Sequence, residues 1–352
     1  MKKKRDSNIE LLRIVCMLFI IIHHFIVHGI GYVGMSHDEI VDLDKTYLLV
    51  NSFVIIAVDC FILISGYYGI KPSLNGLLRL YLICVFYNLC SYCITPIVYT
   101  GDNVYSLHGC FMPFSHSNGL WFIPTYSYLF ILSPLLNRYW ENISSKGAYT
   151  SIFIMGILIF YFGYFWNAHI SPTGYDLMNF IFLYFWGRCL RLYHESRFKK
   201  QWPLVLGYLV FTMLTWGISL YQETSLAMAF PLSAFKYNSP LVIGSAICFF
   251  LIFRNFTISN SRINWLASSS LAIYLITECH NNSNLYIKLS NYVFNHYDST
   301  ATVILLYVAL ALLLALICIL IDKLRIILFT PFEVRIIRIG EMFFEKIKNK
   351  IK

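Results

Sequence analysis

Apolar residues along this chain come in blocks about as long as a bilayer is thick, separated by short polar stretches. Ten blocks read as spanning helices, at roughly 8–29, 46–70, 77–100, 120–137, 149–166, 177–193, 203–221, 239–255, 263–279 and 300–321, each near the length a bilayer requires. Several are short or interrupted. Pro124 and Pro134 fall in the fourth, where proline is tolerated only if neighbouring groups satisfy the freed carbonyls. No internal repeat of fixed period is apparent. The pattern predicts an all-α fold: a polytopic transmembrane bundle of about ten spans, occupying residues 1–322 as one domain. The tail over 323–352 mixes bulky apolar residues with Lys and Arg, and reads as a basic amphipathic cytoplasmic segment resting on anionic membrane lipids.

Composition supports the membrane reading. Of 352 residues, 58% are hydrophobic and only 13% charged, and the mean hydropathy is +0.63, far from a soluble domain. The basic start MKKKRDSN could introduce a signal sequence, but no small-residue cleavage site follows, so the first block is expected to be a retained helix. Charge then sets direction. With the N-terminus inside, only Lys45, Lys236 and Lys288 of the 27 Lys and Arg residues fall on the outer side, which predicts both termini cytoplasmic in a multi-pass protein of the cell membrane. The outer loops instead hold acids such as Asp38, Asp42, Asp44 and Asp298. The formal net charge of +9 therefore reports topology and gives no support to nucleic-acid binding. Among the ten cysteines only Cys90 and Cys93 make a CxxC spacing, and without a second pair helix packing is expected rather than metal or redox chemistry.

Candidate chemistry starts in the first block, NIELLRIVCMLFIIIHHFIVH, which carries Arg13, His23 and His24 through an apolar run. Ionisable groups there mark a functional site by default. On a helix turning about 100° per residue, the step from Arg13 to His24 returns to within roughly 20° of the same face, about 16 Å further along. Arg13 sits one turn from Glu10, close enough for an ion pair. His23 points elsewhere and is assigned to packing against a neighbouring helix. Trp121, Tyr126 and Tyr128 read as an interfacial belt.

Arg, ten residues, then His in the first span, preceded by NIELLR, resembles the acyltransferase 3 family of integral membrane O-acyltransferases. Further similarities follow in order: FILISGYYG at 61–69, WFIPTYSYLFILSPLLN at 121–137, YNSPLVIGSAICFFLIF at 237–253, SSLAIYLITE at 269–278 and IDKLR at 321–325. The resemblance implies transfer of an acyl group, acetyl by default, from cytoplasmic acyl-CoA (acetyl-CoA) to a hydroxyl of an envelope polysaccharide or lipid-linked sugar, with Arg13 and His24 as the functional pair. Members of that family often carry His before the Glu of the ninth-helix motif, whereas this chain has Thr277 before Glu278.

Such a transfer needs a general base, and a neutral imidazole suits it near pH 7, which assigns the base to His24. Asp59 and Glu278 are the acids available to orient it, and the sequence leaves both open. Arg13, Lys71, Arg79, Arg188 and Arg191 are the candidate contacts for the phosphates of CoA. Arg188 and Arg191 also fit a role in setting orientation. No metal is called for. Two competing classes are a transporter or flippase of lipid-linked sugars, and a scaffold or sensor. The first lacks the paired broken helices in related halves that many transporters show, and the second does not account for interior Arg, His, Asp and Glu.

Overall fold

The computed structural model describes residues 6–31, 43–98, 106–115, 120–193, 199–222, 232–278 and 283–351, and among them every regular element is helical. Among the described residues six helices are long and apolar enough to cross a membrane: Ser7–Gly29, Lys45–Tyr68, Leu74–Ile94, Ser145–Phe165, Gln201–Tyr221 and Thr300–Met342. The other expected blocks are helical but shorter, broken or more polar. In chain order the elements are α1 (Ser7–His24, continuing as a π-helical turn Phe25–Gly29), α2 (Lys45–Val54), α3 (Ala57–Tyr68), α4 (Leu74–Val98), α5 (Leu107–Cys110), α6 (Phe122–Glu141) and α7 (Ser145–Gly156, with a π-helical end Ile157–Phe165). After these come α8 (Leu177–Tyr193), α9 (Gln201–Tyr221), α10 (Pro240–Asn255), α11 (Ser261–Ala267), α12 (Ser270–Glu278), α13 (Ser283–Phe294) and α14 (Thr300–Ile351). The acids Asp38 and Asp42 lie outside the described residues.

Two apolar blocks that read as single spans are broken, and the reason they survive is that side chains take up the carbonyls. Between α2 and α3, Tyr208 Oη donates to Phe53 O at 2.9 Å. Between α11 and α12, Lys323 Nζ donates to Trp265 O at 2.7 Å and to Ser268 Oγ at 2.7 Å. Within α6, Pro134 has no N–H for the carbonyl of Phe130, and Ser133 Oγ fills the gap at 2.7 Å. Irregular backbone in an apolar environment is stable only when paid back by such bonds.

The interior is organised around α1, which packs against α3, α10, α11, α12 and α14. α3 lies close along α8 because two glycines remove the obstruction: a Cβ on Gly66 would fall 2.4 Å from Tyr184 O, and one on Gly187 would fall 2.5 Å from Leu63 O. Small residues that let backbones approach are the usual basis of helix packing in membranes. α13, between the ninth and tenth apolar blocks, seats against the π-helical end of α1, where a Cβ on Gly29 would meet Ser290 Oγ at 2.1 Å.

Side-chain bonds tie the helix ends together at both poles. Near the start of α1, Tyr68 Oη donates to Asp6 Oδ2 at 2.6 Å, and Asn8 Nδ2 donates to Phe253 O at 3.0 Å. At the opposite pole, Thr300 Oγ1 donates to Asp44 Oδ2 at 2.6 Å, and Trp216 Nε1 donates to Lys45 O at 3.2 Å. The IDKLR segment anchors α14. Arg325 is buried between Asp322, at 2.8 Å, and Glu333, while Tyr87 Oη of α4 donates to Asp322 Oδ1 at 2.8 Å. Beyond this anchor α14 continues as one helix and touches α4 again, Asn75 Nδ2 donating to Glu341 Oε1 at 2.5 Å.

Candidate functional site

One face of α1 lines a cavity of about 300 Å³ with Arg13, Met17, Ile20 and His24. Their spacing is the helical repeat that puts successive residues on a single stripe. α3 contributes Val58, Phe61 and Ser65 to the wall, α6 contributes Phe122 and Tyr126, and α12 contributes Leu271 and Tyr274. The wall is mostly apolar, with Arg13 and His24 as its basic side chains. Arg13 is 38% exposed and pairs with Glu10 at 3.4 Å, so its charge faces partly open space rather than a dry interior. Trp121 and Tyr237, stacked with ring centroids 5.6 Å apart, also line the cavity. Trp121 thus belongs to the interior wall rather than to a surface belt.

Around His24 three further polar groups converge. Glu278 Oε1 lies 2.6 Å from His24 Nδ1, brought there by the last turn of α12. The approach is short but poorly aligned as a hydrogen bond, a common state of catalytic pairs before substrate binds. Tyr286 Oη, from α13, donates to the same carboxylate oxygen at 3.3 Å, and its ring meets His24 edge-on at 5.6 Å. His28 completes the group one turn along α1, its ring centroid 5.2 Å from that of His24. His23 faces away: its Nδ1–H donates to Asn51 Oδ1 at 2.6 Å, deep between α1 and α2.

The sequence model of the acyltransferase domain matches residues 6–323, which include every side chain of this cluster. The chain belongs to that acyltransferase family. Among curated proteins and among solved structures no match is found. With its apolar helices, membership makes it a multi-pass membrane acyltransferase.

Within this acyltransferase the candidate residues separate into groups. Arg13 and His24 share the cavity, and Glu278 is the acid that reaches His24. Asp59 makes no hydrogen bond to the imidazole: it is fully buried and both its carboxylate oxygens lack a hydrogen-bond partner. Its place on α3, one residue beyond the cavity-lining Val58, turns it off that face. Lys71 and Arg79 are exposed and do not line the cavity.

Arg188 and Arg191 gather instead at the end of α3. Arg191 Nη1 donates to Tyr67 Oη at 3.3 Å, and Arg254 Nε donates to the same oxygen at 2.6 Å. A Cβ on Gly69, whose φ is +71°, would fall 2.9 Å from Arg188 Nη1, so glycine serves both the turn and the guanidinium. This turn is fixed by Asn137 Nδ2 donating to Ile70 O at 2.7 Å. Thr277, where the family often carries His, bonds back to Ile273 O at 2.9 Å and offers no imidazole; His280 lies outside the described residues.

Three residues of these clusters escaped the sequence reading: His28, Tyr286 and Arg254. For His28 a signal existed, since HHFIVH places it four residues after His24 on one face. Tyr286 and Arg254 had none, because their roles depend on how α13 and α10 pack.

Proposed function

We propose that this acyltransferase moves an acyl group, acetyl by default, from cytoplasmic acyl-CoA to a hydroxyl of an envelope polysaccharide or lipid-linked sugar in the cell membrane. The observation that carries this is the His24–Glu278 pair at one end of a cavity whose other end is bounded by Arg13 on the same helical stripe. Glu278 holds the Nδ1 side of the ring, which leaves Nε2 as the basic nitrogen. In the transfer the acceptor oxygen attacks the thioester carbon, its proton passes to His24 Nε2, the C–S bond breaks, and the imidazolium returns that proton to the CoA sulfur.

The cavity suits a slender arm better than a nucleotide, since about 300 Å³ is at the lower limit of ligand pockets. The pantetheine arm would occupy it, with the phosphates held outside by Arg13. The cluster of Arg188, Arg191 and Arg254 offers further guanidiniums at the same pole, because Tyr68, beside Tyr67, bonds Asp6 at the start of α1. Lys71 and Arg79, exposed on the following turn and on α4, would add long-range attraction for the polyanion.

The proposal includes a topology of ten crossings with both termini cytoplasmic. Its support is the distribution of Lys and Arg, together with the bonds that group Asp6, Tyr68 and Phe253 at one pole and Asp44, Thr300 and Trp216 at the other. The broken α11–α12 pair counts as a single crossing.

The test is transfer of labelled acetyl from acetyl-CoA by the purified full chain, with envelope glycan extracts as acceptor. Labelled glycan formed by wild type and not by His24→Ala is the expected result. Equal labelling by both proteins would overturn the assignment of the base.

A further inference from the structure

The site holds one imidazole more than acyl transfer uses. His24 and His28 stand four residues apart on α1, and Glu278 reaches them from α12. One ligand atom from each of the three lies within 4.8 Å of the other two. Two histidines at this spacing on one helix, joined by a carboxylate from elsewhere, form a His₂Glu set that binds zinc with a coordination position left open. The donor types select by chemistry: imidazole with one carboxylate favours zinc-like transition metals, whereas magnesium and calcium prefer all-oxygen sites.

The surroundings fit as well. All three side chains are half-buried, between bulk water and a dry core. Tyr286 Oη donates to Glu278 Oε1 at 3.3 Å, an outer hydrogen bond of the kind that fixes a metal-ligating carboxylate. Metal–ligand bonds of about 2.0–2.2 Å put tetrahedral ligand atoms about 3.3–3.5 Å apart, so binding requires His24 Nδ1 and Glu278 Oε1, now 2.6 Å apart, to separate while His28, within 4.8 Å of them, adjusts to the same spacing.

We infer that His24, His28 and Glu278 bind a divalent transition-metal ion of the zinc type, and that the bound ion inhibits acyl transfer. A metal held by His24 Nδ1 and Glu278 replaces the contact that orients the imidazole and leaves the ring proton on Nε2, where the base needs a free lone pair. His28 is needed for the metal alone. The inhibitory half rests on the function proposed above; the binding half does not.

Zinc titration of the full chain in detergent, followed by calorimetry and by a competing chelator dye, measures binding without reference to activity. Wild type is expected to bind one equivalent, with affinity reduced about tenfold or more in His28→Asn and in Glu278→Gln. Cobalt should give the intense visible absorption of a four-coordinate site in wild type only. Equal zinc affinity in wild type and both variants would overturn the site. For inhibition, acetyl transfer is measured as zinc is raised from a chelated baseline. Measured against its own chelated rate, His28→Asn should need about tenfold or more zinc for half-inhibition. Unchanged wild-type transfer at saturating zinc, or a chelated enzyme that is inactive until zinc is added, would overturn the inhibitory role. A chain that binds zinc through His28 but transfers no acetyl group would count against the proposed function and leave the metal site standing.

Discussion

Glu278 Oε1 lies 2.6 Å from His24 Nδ1, a contact between the first helix and a helix more than two hundred residues later. It divides the paired histidines into two roles. His24 meets an acid on the cavity wall, while His23 is held by Asn51 in the core.

Replacing each histidine by alanine should separate those roles. His24→Ala is expected to lower acetyl transfer by about 10²–10⁴-fold, the usual contribution of a general base, with expression and donor binding little changed. His23→Ala should retain transfer but lose about 1–3 kcal/mol of stability, because Asn51 is left buried without its partner. Rates at matched protein level and thermal unfolding in detergent measure the two effects. A dead His23→Ala beside an active His24→Ala would reverse the assignment.

Arg13 is expected to act on the donor. Arg13→Ala should weaken acyl-CoA binding by about 1.5–3 kcal/mol, the worth of a charge-assisted bond, and Arg13→Lys should recover only part of it. Stability should fall as well, because Glu10 is buried and Arg13→Ala leaves its carboxylate without the guanidinium, and thermal unfolding in detergent measures that loss apart from donor binding. Equilibrium binding of a non-hydrolysable acyl-CoA analogue reads this directly. Unaltered binding would make Arg13 a structural residue.

The Arg325 anchor should prove costly to break. Arg325→Met leaves Asp322 and Glu333 buried together without a counter-charge, and removing one partner of such a group costs about 3–5 kcal/mol. Thermal unfolding measures the loss. A simultaneous change of Asp322 and Glu333 to Asn and Gln should restore much of it, and failure of that rescue would show that Arg325 contributes through packing.

Asp44 gives the expected dependence on pH. The Thr300 hydroxyl, then the side chain and backbone N–H of Thr46, hold its carboxyl below the ordinary value. A depressed folded value means that the stabilisation is complete above the unfolded value, about 3.9, and disappears as pH falls through the folded one. Asp44→Ala, which also removes the cap of α2, should therefore be less stable than wild type by about 1 kcal/mol near neutrality. The two melting temperatures should converge as pH drops below about 4. A constant gap down to strongly acid pH would exclude a role for the carboxylate charge.

The sequence by itself determined the all-helical membrane character, and the stripe that carries Arg13 and His24 to one cavity. Both follow from local periodicity, because apolar length sets a span and the helical repeat fixes which residues share a face. It also located the Arg13–Glu10 pair, which spans a single turn. Tertiary structure alone decided which acid meets His24. Asp59 and Glu278 look alike in an apolar pattern, and only the packing of α12 and α3 against α1 puts one at the imidazole and turns the other away. The breaks in the second and ninth blocks were hidden for a related reason: the groups that satisfy them, Tyr208 and Lys323, come from distant helices. Periodicity fixes the direction in which a side chain leaves its own helix, and the partner it finds is set by contacts far apart in the chain.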